Sequence, residues 1–402
     1  MKRLLAAIGI IAFSIMFSIA IVGPLLSTLA DVEGIPLGSK PNTSIGIIFA
    51  LGGLSLALAQ IPFARLADKY GRKPFVITGS ISVATTVLLI GYSHTTANML
   101  GLHLHLNRVG WDASTVTLAT MRTLQGIAAA ATWPVLLSII ASEIPEEKMG
   151  TAMGVFGASF GLGMSLGPVI GPALASTSNI HTPFILSAIL ATISALVALH
   201  IRETWRPIQK TGESKASLRD PRLIGLGLIS FTLLYAMGSL VVIYPRYMVD
   251  TLNLGLDKLA IAMALASLTY SLLQPITGKL ADMLDKRLLV AVSHPLTGLA
   301  VLLAALSTTP TNIYISMLLF GVGGAIAFPA ATAILGSIAP EGMEGAYTGV
   351  YNAMLSLGVT ISPITIGLLA DTTGYVTAFA TVLPTVLAGT IGFLATNSHT
   401  HL

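Results

Sequence analysis

Arg122 is the residue whose chemistry and position in the sequence are the most informative. It lies within a long apolar segment, three residues before Gln125. An arginine at mid-membrane costs about 3 kcal/mol or more, so it needs a partner or a water-filled cavity. A buried cation lowers the pKa of a nearby carboxylate and thereby controls when that carboxylate binds a proton. The alternative is a position near a helix end, from which the guanidinium extends to the membrane surface.

A proton-controlling role for Arg122 requires a carboxylate nearby. We find no acidic residue in the middle of an apolar segment, whereas Asp31 and Glu33 follow the first of these segments. Asp31 should lie near the same end of the protein as Arg122. We therefore predict that Arg122 and Asp31 form a coupling pair.

A second group of charged residues lies between the second and third apolar segments. Gly71 permits a tight turn there, and Arg72 and Lys73 would face anionic lipid headgroups. Asp68 is a carboxylate among cations, placed where it could meet an arginine or a helix N-terminus. The alternative interpretation is a positively charged loop that contains one solvated acid.

Other kinds of site find little support in the sequence. The chain has no cysteine, which excludes disulfides, thiolate metal sites and cysteine nucleophiles. His103 and His105 have a spacing that metal ligands could have, but a third ligand is missing and ordinary loop polarity explains them. We expect no catalytic residue, no metal site and no cofactor, and we do not expect an enzyme.

The composition indicates whether water or lipid surrounds the folded chain. Its residues are 54% hydrophobic and 9% charged, whereas soluble domains carry roughly 25% charged residues. So few charges cannot cover a soluble surface, so the lipid bilayer must cover much of the protein. The net charge of +4 does not indicate nucleic-acid binding, because the positive residues lie in short loops between apolar segments.

The apolar segments are continuous and each is long enough to cross a bilayer as a helix. A β-barrel would show short alternating segments instead, and helices otherwise satisfy the backbone in lipid. The fold class predicted is therefore an all-α polytopic membrane protein. The twelve predicted spans lie near residues 4–29, 44–66, 74–92, 117–141, 149–174, 183–201, 223–246, 258–281, 288–307, 313–338, 346–370 and 376–396.

The distribution of Lys and Arg predicts the orientation. Alternate connecting segments hold 16 of the 21 Lys and Arg residues on one side and three on the other. Because the positively charged side is cytoplasmic, both termini should be cytoplasmic and segment 97–116 should lie outside. The expected location is the cell membrane.

The two halves of the chain repeat. Asp68 and its neighbours match Asp282 at an offset of 214 residues, whereas Pro168 matches Pro363 at an offset of 195. The difference is an insertion in segment 97–116 of the first half. Parallel repeats of six helices are typical of a two-bundle transporter whose site lies between the bundles.

A polar stretch in the middle of the chain separates these halves. It contains prolines, a glycine and charges of both signs, as linkers commonly do. The predicted organisation is an N-terminal six-helix bundle at 1–202, a cytoplasmic linker at 203–222 and a C-terminal six-helix bundle at 223–402.

Two segments resemble motifs of the major facilitator superfamily. Residues 64–73 and 278–287 resemble its G-x-L-a-D-r-x-G-r-[RK] loop, although Ala64 and Asp285 replace glycines of that pattern. Residues 122–126 resemble the R-x-x-Q-G element that drug:proton antiporters of the family carry in the fourth helix.

The fifth apolar segment is rich in glycine. Gly157, Gly161, Gly163, Gly167 and Gly171 should form a bare face that a neighbouring helix can approach closely. The part from Gly163 onward, with Gly167, Pro168 and Gly171, resembles the helix 5 motif of the antiporter branch, except that a proline stands in place of the final glycine. This resemblance favours export over uptake.

The resemblance covers the whole chain and implies two pseudo-symmetric six-helix bundles. It implies a latch that closes the cytoplasmic side, with the residues Asp68, Gly71, Arg72, Lys73, Glu143 and Asp282. It also implies that helices 1, 4, 7 and 10 line a central cavity, with the substrate-binding candidates Phe13, Phe17, Gln125, Trp133, Phe231, Tyr235 and Phe328. Aromatic residues with few charges suit an apolar or amphipathic substrate, unless they are packing or lipid-facing residues.

Three classes of function remain open. The first is a proton-coupled exporter of small lipophilic or amphipathic compounds, acting as a monomer. The second is an uptake carrier or facilitator for a sugar, organic acid or other metabolite, which should show more polar side chains in the cavity helices. The third is a membrane sensor that does not transport, which should carry an added soluble domain.

Overall fold

The structure, a computed structural model, describes residues 2–101, 105–106, 110–145, 148–201, 220–340 and 344–397. The chain divides into two compact units, Met1–Gln209 and Lys210–Leu402. Most of the linker predicted at 203–222 lies outside the described residues. Each unit is built from helices that pack side by side.

The first unit contains nine described helices. They are α1 Lys2–Ala20, α2 Val22–Val32, α3 Pro41–Tyr70, α4 Lys73–Gly91, α5 Ser93–Met99, α6 Ala113–Ala130, α7 Trp133–Glu143, α8 Met149–Thr177 and α9 Thr182–Leu199. The helix α2 continues α1 after Ile21, and α6 and α7 together form one span.

The second unit contains eight described α-helices and two π-helical segments. They are α10 Pro221–Gly238, α11 Tyr244–Arg246, α12 Leu256–Met283, α13 Lys286–Leu306, α14 Pro310–Ile338, α15 Glu344–Thr373, α16 Tyr375–Ala380 and α17 Val382–Thr396, with π-helices at Ser239–Ile243 and Tyr247–Thr251. The span that begins with α10 runs through both π-helices to Thr251.

Twelve spans within the described ranges are long and apolar enough to cross a membrane. The prediction of twelve membrane helices is therefore confirmed. Large apolar side chains remain exposed on both units, for example Leu58 at 69% and its repeat partner Leu272 at 71%. Exposed leucine on this scale is expected where lipid rather than water surrounds the helix.

The fourth span begins four residues earlier than predicted. Asp112 caps α6 because its Oδ1 accepts a hydrogen bond of 2.9 Å from the backbone N–H of Thr115. Helix α6 therefore starts at Ala113. Arg122 lies nine residues further on, about 14 Å along the axis at 1.5 Å per residue, so it is far from the helix end.

The described part of the inserted segment 97–116 contains two short strands. Strand β1, His105–Leu106, pairs antiparallel with β2, Trp111–Asp112. Trp111 anchors this hairpin, since its Nε1 donates a hydrogen bond of 2.8 Å to Ser44 Oγ on α3. His103 lies outside the described residues, and the described part of the chain holds no group of three or more potential metal ligands.

Candidate functional site

Arg122 is buried inside the first unit and contacts an aromatic ring and an amide. Its side chain is 3% exposed, and its guanidinium carbon lies 4.8 Å from the ring centre of Phe49 on α3. One guanidinium nitrogen donates a hydrogen bond to Gln125 Oε1. Gln125 in turn donates from Nε2 to the carbonyl oxygen of Ser18, 3.1 Å away on α1. These residues, which we call the Arg122 cluster, join α1, α3 and α6.

Two glycines make room for the Arg122 cluster. A Cβ at Gly52 would lie 2.8 Å from Arg122 Nε, and a Cβ at Gly126 would lie 2.1 Å from the carbonyl oxygen of Gly52. A side chain at Gly126 would overlap the backbone of α3, so this position needs glycine, and one at Gly52 would displace the buried side chain of Arg122. The absence of side chains lets α3 and α6 approach closely around the buried cation.

The partner predicted for Arg122 is different in the structure. The described contacts of Arg122 are with Phe49 and Gln125 rather than with Asp31, which is exposed on α2. Its Nε has no hydrogen-bond partner in the described part of the chain. A ring face and a neutral amide therefore hold the cation, and one donor remains available.

The loop between α3 and α4 binds to the ends of other helices of the first unit. Gly71 adopts φ +93°, a conformation that favours glycine. Arg72 is buried and donates a hydrogen bond to Ser142 Oγ, directly before Glu143 at the end of α7. Lys73 Nζ donates a hydrogen bond of 2.6 Å to the carbonyl oxygen of Leu199, the last residue of α9.

Asp68, the acid of the predicted latch, lies in the last turn of α3, and its side chain is outside the described part of the structure. Asp282 lies in the last turn of α12 and is exposed. Neither residue is therefore brought into a described contact with the basic residues of the latch.

The second copy of the loop motif has a different turn and a matching contact. Asp285, at the position equivalent to Gly71, caps α13, since its Oδ1 accepts a hydrogen bond of 2.8 Å from the backbone N–H of Arg287. The side chain of Arg287 donates a hydrogen bond of 3.0 Å to the carbonyl oxygen of Leu394, near the end of α17. Both halves thus use a basic residue of the third span to bind the end of the sixth.

Part of the glycine face of α8 makes the close approach that the sequence predicts. A Cβ at Gly163 would lie 2.6 Å from the carbonyl oxygen of Phe13, and a Cβ at Gly167 would lie 2.9 Å from Ala20 Cβ. At Gly171 it would lie 2.7 Å from Ile21 Cγ1. The antiporter-like segment therefore packs directly on α1 and on Ile21, where α1 meets α2.

The other glycines predicted for this face do not pack in this way. A Cβ at Gly157 or Gly161 would meet nothing within 4 Å among the described atoms. The prediction of one continuous packing face was therefore wrong for these two residues. Of the five glycines, Gly163, Gly167 and Gly171 are therefore the ones that pack closely on the first span and on Ile21.

The second unit repeats this helix crossing. A Cβ at Gly358 on α15 would lie 2.1 Å from the carbonyl oxygen of Phe231 and 3.1 Å from the nitrogen of Tyr235 on α10. Gly358 is the repeat partner of Gly163. The repeat seen in the sequence is therefore also present in the packing of the spans.

Aromatic pairs lie on the first span of each unit at this crossing. The ring centres of Phe13 and Phe17 are 5.8 Å apart, and those of Phe231 and Tyr235 are 5.9 Å apart. Phe17 and Tyr235 are buried, whereas Phe13 and Phe231 are partly exposed. Each pair thus has one residue that packs and one that is accessible.

The repeat partners Trp133 and Phe328 have different neighbours. Trp133 packs edge-on against Phe160 of α8, with ring centres 4.2 Å apart. Phe328 faces Tyr270 of α12 at 6.4 Å. Both residues are partly buried, so they combine packing contacts with some accessible surface.

An apolar groove lies beside Phe13 within the first unit. It has a volume of about 440 Å³ and is lined by α1, α8 and α9, including Gly9, Ser14, Ser159 and Leu162. Ligand pockets commonly have volumes of about 300–1,000 Å³. Apolar walls with two hydroxyl groups can hold an amphipathic molecule.

Sequence reasoning missed a buried histidine in the second unit. His294 on α13 is fully buried, with Nδ1 2.8 Å from Thr390 Oγ1 and Nε2 3.2 Å from Thr232 Oγ1. It thereby joins α13 to α17 and α10. A histidine inside a predicted apolar span is energetically costly. This cost was the feature of the sequence from which His294 could have been identified.

Two repeated units of six spans, with repeated crossings and loop contacts, define a polytopic membrane protein of the secondary-transporter class. The family model of the Major Facilitator Superfamily matches residues 8–244 and 226–401. The chain therefore belongs to the major facilitator superfamily, and the resemblance of its motifs and its fold class are both confirmed.

The chain is similar to known transporters along nearly its whole length. It is 27% identical over 375 residues to the multi-drug resistance efflux pump PmrA of Streptococcus pneumoniae, covering 90% of this chain and 88% of that one. It is 24% identical over 398 residues to the uncharacterized MFS-type transporter MJ1560 of Methanocaldococcus jannaschii, covering 96% of each.

A solved structure shows the same fold. A bacterial homolog of the human lysosomal transporter Spinster, in an inward-facing and occupied conformation, matches with a TM-score of 0.71 and 15% identity. The match covers 99% of this chain and 95% of that chain. At this identity the likeness concerns the fold alone. Membership of a transporter family agrees with the expectation of a protein that moves a small molecule.

Proposed function

We propose that this transporter exports small lipophilic or amphipathic compounds in exchange for protons, by alternating access. The observation that carries the proposal is the packing of Gly163, Gly167 and Gly171 on the first span. These residues form the segment that resembles the antiporter motif, and the similar protein PmrA is named a multi-drug resistance efflux pump.

The surfaces available to a substrate support an apolar or amphipathic compound. Phe13 borders the groove beside α1, and the groove is otherwise lined by aliphatic residues and two serines. Phe231 is the partly exposed aromatic residue in the equivalent place of the second unit. The buried pair partners Phe17 and Tyr235 hold these two residues in position. Trp133 and Phe328 are the further aromatic residues of the proposed binding surface.

The Arg122 cluster is the proposed link to protons. A buried cation with one open donor attracts an acidic group and favours its charged form. Gln125 fixes the guanidinium on α1 through Ser18, so a change at Arg122 can move the span that borders the groove. Asp31 remains a candidate proton carrier if the end of α2 moves during transport.

The loop after α3 is the proposed latch for the cytoplasm-closed state. Arg72 and Lys73 are already fixed on the ends of α7 and α9, which presents the last turn of α3 as a rigid element. Asp68, with Arg72 and with Glu143 as the acidic partner of the basic cluster, would then stabilise the cytoplasm-closed state. Asp282 has the equivalent role in the second copy.

We also propose that the protein acts as a monomer in the cell membrane with both termini in the cytoplasm. The 16 to 3 distribution of Lys and Arg supports this orientation. Because the chain has no cysteine, single cysteines can report it without interference. A cysteine at Ser214 should be inaccessible to an impermeant reagent from outside, whereas one at Lys40 should react.

The substrate class can be tested with the purified protein in lipid vesicles. We would measure uptake of cationic, neutral and anionic lipophilic dyes, and of sugars and organic acids, with and without a pH gradient. The proposal predicts that dyes accumulate only when the gradient is present. Gradient-independent equilibration of a sugar or organic acid, with no movement of any dye, would instead indicate a facilitator.

A further inference from the structure

At one end of the first unit, His181 connects three spans. Its ring stacks on Tyr92 with the ring centres 4.5 Å apart and the planes at 8°. Its Nδ1 lies 2.8 Å from the carbonyl oxygen of Gly91 at the end of α4. Its Nε2 lies 3.3 Å from Oε1 of Glu33, the residue that follows α2. The imidazole is therefore held on both nitrogens and on one face.

The hydrogen positions in this arrangement follow from the partners. A carbonyl oxygen only accepts, so Nδ1 of His181 must carry a hydrogen. In a neutral imidazole Nε2 would then be a bare acceptor that faces a carboxylate oxygen, and two acceptors repel each other. The contact is attractive only when a proton lies between Nε2 and Glu33, on either group.

We propose that Glu33 and His181 form a proton-binding site, which holds one proton and thereby fastens the end of α2 to α9 and α4. The side chains of His181 and Glu33 are 22% and 13% exposed. They are buried enough for the contact to matter and accessible enough to exchange protons with water. Neither residue belongs to the Arg122 cluster or to the proposed latch.

Among the residues that the structure describes, Glu33 is the charged group directly opposite His181. The helices α8 and α9 carry no charged side chain. Asp31 on α2 and Lys40 before α3 are both exposed. His94 on α5 faces Ser114 Oγ at 3.0 Å, and Tyr92 contributes the face of its ring. The pH dependence of this site should therefore come from the pair itself.

The direction of the response follows from the proton count. At low pH the shared proton is present and the end of α2 is bound. As the pH rises the proton leaves, the two acceptors repel, and the end of α2 is released from α9. This proposal does not depend on which compound is transported. On the proposed orientation, the site lies at the outer face of the membrane.

A distance measurement between α2 and α9 tests the site in the full chain. Cysteines at Val32 and Ile185, both exposed, would carry spin labels in this otherwise Cys-free protein. A narrow distance distribution at acid pH should broaden as the pH is raised across the range in which the protein stays folded. The variant His94→Gln is the matched control and should respond like the parent.

The variant Glu33→Gln keeps a contact with His181 but does not need the shared proton for it. Its amide can donate to a bare Nε2, so the narrow distribution should persist at every pH, whereas Glu33→Ala should give the broad distribution throughout. An unchanged distribution in the parent across this range would overturn the proposal. The same pH response in Glu33→Gln as in the parent would also overturn it. Neither result depends on which compound is transported.

Discussion

Lys73 Nζ lies 2.6 Å from the carbonyl oxygen of Leu199, so the first residue of α4 is bound to the last residue of α9. Arg287 and Leu394 repeat the contact at 3.0 Å in the second unit. Helix C-termini carry unpaired carbonyl groups and partial negative charge, which a cation satisfies. The basic residues of the loop motif therefore have a structural function within their own unit.

Lys73→Met should lower the stability of the detergent-solubilised protein by about 1 kcal/mol, because a charged donor to helix-end carbonyls is lost. Lys73→Arg should retain most of the contact. Arg287→Met should have a similar effect, and the double variant should show the sum, because the two contacts lie in different units and share no partner. The apparent Tm measures these losses of stability. An unchanged Tm in both single variants would mean that these contacts do not stabilise the protein.

The glycine face of α8 offers a prediction with an internal control. Gly163→Ala should destabilise the protein by about 1–3 kcal/mol, because the new Cβ overlaps the backbone of α1. Gly157→Ala meets open space and should be neutral or stabilising by about 0.5–1 kcal/mol, because alanine favours the helix. Thermal unfolding and transport rate of the two variants provide the comparison. Equal losses in both would mean that the close helix crossing has no special importance.

Arg122→Ala should abolish transport driven by a pH gradient while the protein still inserts and folds. Arg122→Lys keeps the charge over Phe49 but cannot reproduce the planar guanidinium contact with Gln125, so it should be impaired. The measurement is the pH dependence of transport in both variants. A cation that serves only as an anchor would make lysine a full substitute, and a parental pH profile in the alanine variant would end the coupling role.

Asp68→Asn keeps the shape of the side chain and removes its charge. If Asp68 stabilises the cytoplasm-closed state, the variant should shift the population toward the inward-open state and slow transport, within a coupling energy of about 1–3 kcal/mol. Cysteine accessibility from each side of the membrane reports this population. Normal transport with unchanged accessibility would leave only a solvated acid in a positively charged loop.

Asp220 gives the second unit a pH-dependent contact outside its spans. Burial raises its pKa, but hydrogen bonds from Arg222 and from the hydroxyl of Tyr347 outweigh this and lower it overall. The stabilisation is therefore present above the ordinary pKa of aspartate, about 3.9, and is lost as the pH falls through the lowered value. Asp220→Asn should remove this acid-dependent part of the unfolding curve, and an unchanged curve would contradict the assignment.

The sequence was sufficient for much of the fold because its signals are local. Continuous apolar runs define the spans, and the repeat predicts that Gly163 and Gly358 make equivalent contacts. The fourth span was placed too late because the cap at Asp112 precedes the apolar run. Hydropathy does not reveal this cap. Because of it, Arg122 lies deep in the helix rather than near its end.

The contacts of the candidate site depend on partners far away in sequence. Nothing local indicates that Gln125 should reach Ser18, or that His181 should meet Glu33. The glycine face was overestimated because spacing shows which residues share a side of a helix but not which neighbour covers it. Gly157 and Gly161 lie in a part of α8 that is as rich in glycine as the packed half. The first span does not cover these two residues as it covers Gly163.

Exchange of a compound for protons can be tested by following the movement of the protons themselves. The protein would be placed in vesicles that contain a trapped pH-sensitive dye, with no initial pH gradient, and a transported compound would be added outside. Entry of the compound should drive protons out, so the interior should become alkaline, and Arg122→Ala should abolish this change. Entry of the compound with no change in pH, or with acidification of the interior, would contradict proton-coupled exchange.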